Sequence, residues 1–130
     1  MGATSPDFYN PTGSKHLMRV VHYLNQFFGG VGGEEQAGMP PEVRDGAAGP
    51  GLLLETVFPS GSRVVSTIVC GDNYAAEHPE EIQALAVATV KEAEAGLLVA
   101  GPCFEAGRYG TAAGGVCAAV QQRLGVTALA

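Results

Sequence analysis

Residues 78–100 read HPEEIQALAVATVKEAEAGLLVA, and the fold is decided here. Pro79 suits the first position of a helix, and Glu80 and Glu81 suit the positive end of its dipole. Ile82, Leu85, Ala86, Thr89 and Val90 recur at helical spacing, so a helix is predicted from residue 79 to just before Gly96. Leu97, Leu98, Val99 and Ala100 then form a short run without a polar residue. That is the pattern of a strand buried on both faces of a parallel sheet.

Outward from this unit, the pattern continues in both directions. Residues 17–28 read as a strand, rich in Val20, Val21, Tyr23, Leu24, Phe27 and Phe28, and stop at Gly29. Residues 30–51 carry Pro40, Pro41 and Pro50 with few apolar positions, and read as a long loop. Residues 52–58 and 63–69 read as two strands joined by Pro59-Ser60-Gly61-Ser62 in a hairpin-type connection. Beyond residue 100, a loop is predicted over 101–109, a helix of small residues over 111–124 closed by Gly125, and an apolar strand over 126–130. Strands alternating with helices predict an α/β fold: three-layer and Rossmann-like, with a mainly parallel sheet and an antiparallel hairpin. No internal repeat is present. Residues 1–14, broken by Pro6, Pro11 and Gly13, are expected to be a flexible tail, with the domain over 15–130.

In such sheets ligands bind beyond the carboxyl ends of the strands. Three polar or glycine-rich segments fall there, at 29–35, 71–74 and 101–109, and should converge. The glycine count, 19 in 130 residues, concentrates partly in these segments.

Composition excludes several functions. The net charge is −6, and only seven Lys and Arg are present, scattered from Lys15 to Arg123. Binding to nucleic acid or to an anionic membrane needs clustered basic residues. No segment approaches the roughly 18 apolar residues of a membrane span. Residues 1–14 lack the charge and apolar run of a signal peptide. Cys70, Cys103 and Cys117 are odd in number and lack CxxC spacing, against a disulfide framework or a zinc site. They are read as reduced thiols in a cytoplasm. His16, His22 and His78 share no metal-ligand spacing, so no metal is expected. The glycines at 29–33 have no Lys nearby and no clear helix after them, a poor phosphate cradle. No cofactor is called for.

Three segments carry a resemblance: VHYLNQFFGGVGGEE at 21–35, CGDNY at 70–74 and AGPCFEAGRYG at 100–110. In this order they resemble the N-terminal part of the component B (selenoprotein B) subunits of the glycine/sarcosine/betaine reductase family, and the likeness runs from about Arg19 to Ala130. It implies an oxidoreductase component that helps remove the amino group of a small amino acid or its N-methylated relative by reductive C–N cleavage. In that family a selenocysteine or cysteine in the C-terminal half attacks the substrate carbon. That half is not in this sequence, so a C-terminal companion chain or domain and a hetero-oligomer are expected. Cys103 stands where the family usually has a small residue, and Ala113 where it usually has cysteine. Two other readings stand beside this one: a divergent cysteine-dependent lyase or transferase, and a non-catalytic structural subunit of a two-chain complex. Because residues 126–130 form an apolar strand without a cap, self-cleavage of a precursor after Ala130 is one expectation; a fragment or a split gene is the other.

The candidate site follows from residue chemistry. Cys103, just past an apolar strand, is a candidate nucleophile if Arg108 or the following helix N-terminus lowers its pKa; the alternative is a packed thiol. Glu34 and Glu35 are candidates for acid–base work or for holding a substrate ammonium, against a solvated turn. Arg108 and Tyr109 are the expected substrate-binding pair, because arginine grips a carboxylate with two parallel hydrogen bonds. A structural salt bridge from Arg108 to Glu105 or Asp72 is the alternative. Asn25 and Gln26 can hydrogen-bond a ligand or the neighbouring loop. Asn73 and Tyr74 complete the set, with Asp72 in a turn and Tyr74 facing the pocket. Cys70, Cys117 and His22 are read as core.

Overall fold

The computed structural model describes residues 17–103 and 107–130. Five strands form one sheet: β1 (Arg19–Asn25), β2 (Glu42–Asp45), β3 (Arg63–Cys70), β4 (Leu97–Ala100) and β5 (Thr127–Leu129), in the order β2-β3-β1-β4-β5. Every pairing is parallel except β2 with β3. Four helices accompany them: α1 (Pro50–Val57), α2 (Asp72–Glu77), α3 (Pro79–Ala93) and α4 (Gly107–Leu124). The α/β fold, its mixed sheet and its antiparallel pair agree with the expectation. The expected tail at 1–14, His16 and the candidate partner Glu105 lie outside the described residues.

Chain direction explains the layers. The connection from β1 to β3 moves one way across the sheet, and those from β3 to β4 and from β4 to β5 move the other way. With right-handed crossovers, such connections lie on opposite faces. Accordingly Val21, Tyr23, Ile68, Cys70, Leu98 and Ala100 point to the face carrying the third and fourth helices, where Ile82, Ala86, Val90, Val116 and Val120 complete the main core. Burying one such aliphatic side chain stabilises the fold by about 2 kcal/mol. The opposite face carries α1 and a smaller cluster around Val20, Val64 and Leu97.

Residues 52–58 are not a strand. They lie almost wholly in α1, with Pro50 in its first turn. A short apolar run cannot be assigned by periodicity alone, and Leu52-Leu53-Leu54-Glu55 are good helix formers. The antiparallel partner of β3 comes instead from the stretch predicted as a loop. β2 reads Glu42-Val43-Arg44-Asp45, a charged edge strand with little apolar signal. The first strand stops at Asn25, so Gln26, Phe27 and Phe28 lie in the turn beyond it.

Two helix starts also differ. Residues 72–74, predicted as a turn, open α2, a helix too short to show a period. The fourth helix begins at Gly107 rather than at 111, which puts Arg108 and Tyr109 in its first turn. The glycine-rich composition there had pointed to a loop.

His22 lies fully inside, as read from its position in the strand. Its Nε2 meets the Gly101 carbonyl at 2.6 Å. Because the partner is an acceptor, that nitrogen carries the proton. Burial lowers the His22 pKa, and the bond to Gly101 opposes this.

Candidate functional site

The three predicted segments do converge at the carboxyl ends of β1, β3 and β4. Glu34 arrives on a single 3-10 turn, Glu34–Gln36, after β1. Asn73 stands in the first turn of α2 and Arg108 in the first turn of α4. Arg108 joins them. Its Nη2 donates to both carboxylate oxygens of Glu34, at 2.9 and 2.8 Å, and its Nη1 donates to the Asn73 side-chain oxygen. The arginine and the glutamate are both exposed, with the Glu34 side chain 70% open to solvent. An ion pair this open adds little stability and is easily exchanged for another partner.

A second, buried layer holds this one in place. Asn25 donates from Nδ2 to the Asp72 carboxylate at 3.1 Å and accepts from the Phe28 N–H through Oδ1 at 2.9 Å. Gln26 accepts from the Asp72 backbone N–H through Oε1 at 3.0 Å. Both amides therefore bind the neighbouring segment. Gly71 permits the crossing of the first and second segments. A Cβ there would sit 2.2 Å from the Ala37 carbonyl oxygen and 2.7 Å from the Met39 nitrogen. Through this gap Gly71 N–H donates to Met39 O, and Asn73 and Tyr74 N–H both donate to Ala37 O.

The other candidates are placed as follows. The Glu35 carboxylate folds back to accept the Gly33 N–H at 3.1 Å, so of the two glutamates only Glu34 reaches Arg108. Tyr109 is buried, its ring 6.2 Å from those of Tyr23 and Phe28, and its hydroxyl lies 3.5 Å from the Tyr23 carbonyl. Burial pushes its pKa well above the usual phenol range. Tyr74, in α2, faces outward toward the first turn of α3, donating to Glu81 at 2.9 and 3.0 Å and packing against the His78 ring between the two helices.

Cys103 is half-buried, and its thiol lies 3.5 Å from the Ala100 carbonyl. Burial and then the Asp72 carboxylate push its pKa up. Arg108, one of the two groups that could have lowered this pKa, hydrogen-bonds Glu34 and Asn73. Cys117 is pushed up to about 11 and Cys70 to about 12, mainly by burial. Alkylation at neutral pH is therefore expected to be slow at all three, with Cys103 the fastest because it is the least covered. Rates followed from pH 7 to 10 for each thiol test this. An inflection for Cys103 below pH 8 would mean that a cation reaches the sulfur.

Asp72 is the residue that sequence reasoning undervalued. It was read as a turn former, yet it anchors Asn25 and Gln26 from inside. Its position, directly after a buried strand and a glycine, was the available signal. Beside this cluster, a cavity of about 550 Å³ opens between α2, α3 and α4, lined by Ala75, Pro79, Ile82, Gln83, Arg108, Thr111 and Gly115 among others. Among the described residues no group of three His, Cys, Asp or Glu has the arrangement of a metal site, and no helix is long and apolar enough to cross a membrane.

Comparison with known proteins gives the same direction. Residues 17–130 match the family described as glycine/sarcosine/betaine reductase selenoprotein B. The chain is 50% identical over 109 residues to a glycine reductase complex component B subunit gamma of Symbiobacterium thermophilum, covering 84% of this chain and 25% of that protein. It is 46% identical over 109 residues, with the same coverage, to a sarcosine reductase complex component B subunit beta of Peptoclostridium acidaminophilum. A betaine reductase complex component B subunit beta of that organism is 38% identical over 110 residues, 85% of this chain and 25% of the relative. The chain thus spans about a quarter of the length of these relatives. No solved structure matches it significantly. The glycine-bounded crossing at Gly71, the Asn25–Asp72 anchor and the Arg108 cluster all lie within the matched residues, and the chain belongs to the glycine/sarcosine/betaine reductase selenoprotein B family.

Proposed function

We propose that this chain is the N-terminal domain, residues 15–130, of a substrate-specific component B of a reductase that removes the amino group of glycine or an N-methylated relative, working with a C-terminal companion chain or domain in a cytoplasmic complex. One observation carries the reading of the site: Arg108 holds a carboxylate through two hydrogen bonds at the carboxyl edge of the sheet. That carboxylate belongs to Glu34, in an exposed pair. A substrate carboxylate presents the same two oxygens and replaces Glu34 like for like. The displaced Glu34 carboxylate is then free to face the substrate's positively charged nitrogen. Asn73 keeps the guanidinium oriented during the exchange.

Within this reading Cys103 is a neutral thiol lining the site. It becomes a nucleophile only where the companion brings a cation that offsets burial and Asp72. Tyr109, Asn25 and Gln26 act by positioning the segments. A structural role for the whole chain is favoured by that same use of both amides. The discriminating assay is amine release. The assembled component, supplied with the other reductase components and a dithiol reductant, is expected to release ammonia from glycine, methylamine from sarcosine or trimethylamine from betaine. Release from none of the three would leave the structural role.

A further inference from the structure

A parallel sheet normally has both faces covered. Here the third and fourth helices cover one face, whereas among the described residues the other carries the single eight-residue helix α1 and short flanking segments at Met18, Ala47 and Phe58. Over β4 and β5 that second face is thinly covered: Val99 is only partly buried and its register partner Leu129 is 55% exposed. Among the described residues β5 pairs with β4 alone, and no strand covers its outer edge; the Ala128 carbonyl of β5 accepts from Gln121 Nε2 at 2.9 Å.

The first helix has the wrong outside for a solvent-facing element. Leu52, Leu53 and Val57 are 62, 72 and 72% exposed. Its one charged side chain, Glu55, is occupied in accepting the Val64 N–H at 2.8 Å. A surface helix with exposed leucines and no free charge marks an interaction face.

We propose that this back face, made of the outer side of α1, Leu129 and the outer edge of β5, seats the remainder of a component B subunit. The occupant is the polypeptide corresponding to the three quarters of each relative that lie outside the match. It supplies an apolar layer over β4 and β5 and a partner for the β5 edge. The proposal rests on the reading that this chain works as part of such a subunit. It leaves the cavity between α2, α3 and α4, on the opposite face and beside Arg108, open to ligand.

The test uses the portion of the Symbiobacterium thermophilum subunit outside the match, co-expressed untagged with a tagged form of this chain. Equimolar capture is expected. Leu53→Asp with Val57→Asp, and separately Leu129→Asp, should lower capture at least tenfold. Their melting temperatures should stay near wild type, because these side chains are mostly in solvent already. Thr111→Asp, in the cavity on the other face, should leave capture unchanged. Capture that survives the back-face changes, or that Thr111→Asp alone abolishes, overturns the seat while the subunit reading stands. No capture by the wild-type chain removes both.

Discussion

Gly71→Ala is expected to cost about 3 kcal/mol of folding stability, the combined scale of an overpacked contact and the hydrogen bonds it breaks. The added methyl would meet the Ala37 carbonyl oxygen at 2.2 Å, its carbon at 2.6 Å and the Met39 nitrogen at 2.7 Å. All three are backbone atoms, so no side chain can swing aside. The 33–39 segment must lift away, and the bonds from Gly71, Asn73 and Tyr74 to it are lost or stretched. Glu34 rides on that segment, so its bond to Arg108 should go as well. Gly38→Ala is the control, because nothing lies within 4 Å of the new methyl. Urea unfolding of the two variants against wild type checks the difference. Equal, small losses would mean that the segment does not cross Gly71 as described.

Asp72→Ala is expected to cost about 2 kcal/mol, the penalty for leaving a buried donor without its partner. The orphaned group is Asn25 Nδ2, in a residue only 7% exposed. Asn25→Ala should cost a similar amount, and the double variant clearly less than the sum, because the two side chains share one interaction. The same change carries a chemical signature. Asp72 is one of the two causes that raise the Cys103 pKa, so its removal should make Cys103 alkylate faster at pH 8. Additive stability losses, with no change in thiol reactivity, would detach Asp72 from this role.

Much of the fold was legible because strong local signals agreed with the tertiary context. The helix at Pro79–Ala93 and the strand at Leu97–Ala100 combine a helix start signal, a clear period and an unbroken apolar run. The hairpin was misread because residues 52–58 are apolar without a period, and the true partner strand, Glu42–Asp45, is charged. No local rule identifies an edge strand whose main contribution is backbone pairing. Convergence of the three segments followed from topology alone, since carboxyl ends of parallel strands share one edge. Which residues would touch was not accessible in that way. Arg108 pairs with Glu34 across 74 positions of sequence, and only the packed backbone sets that distance. The readings of Asn25 and Gln26 as ligand contacts or loop contacts were equivalent in sequence; the buried Asp72 explains why their side chains turn inward.

The account centres on Arg108 as the group that takes a substrate carboxylate from Glu34. Isothermal titration of the chain assembled with its companion region, against glycine, sarcosine and betaine, tests it most directly. At least one of the three should bind. Arg108→Ala should weaken that binding by tenfold or more, the scale of a lost charge-assisted pair of hydrogen bonds. Lys91→Ala, on the solvent side of α3, should leave it unchanged. Equal effects of the two substitutions, or undiminished binding in Arg108→Ala, would contradict the account.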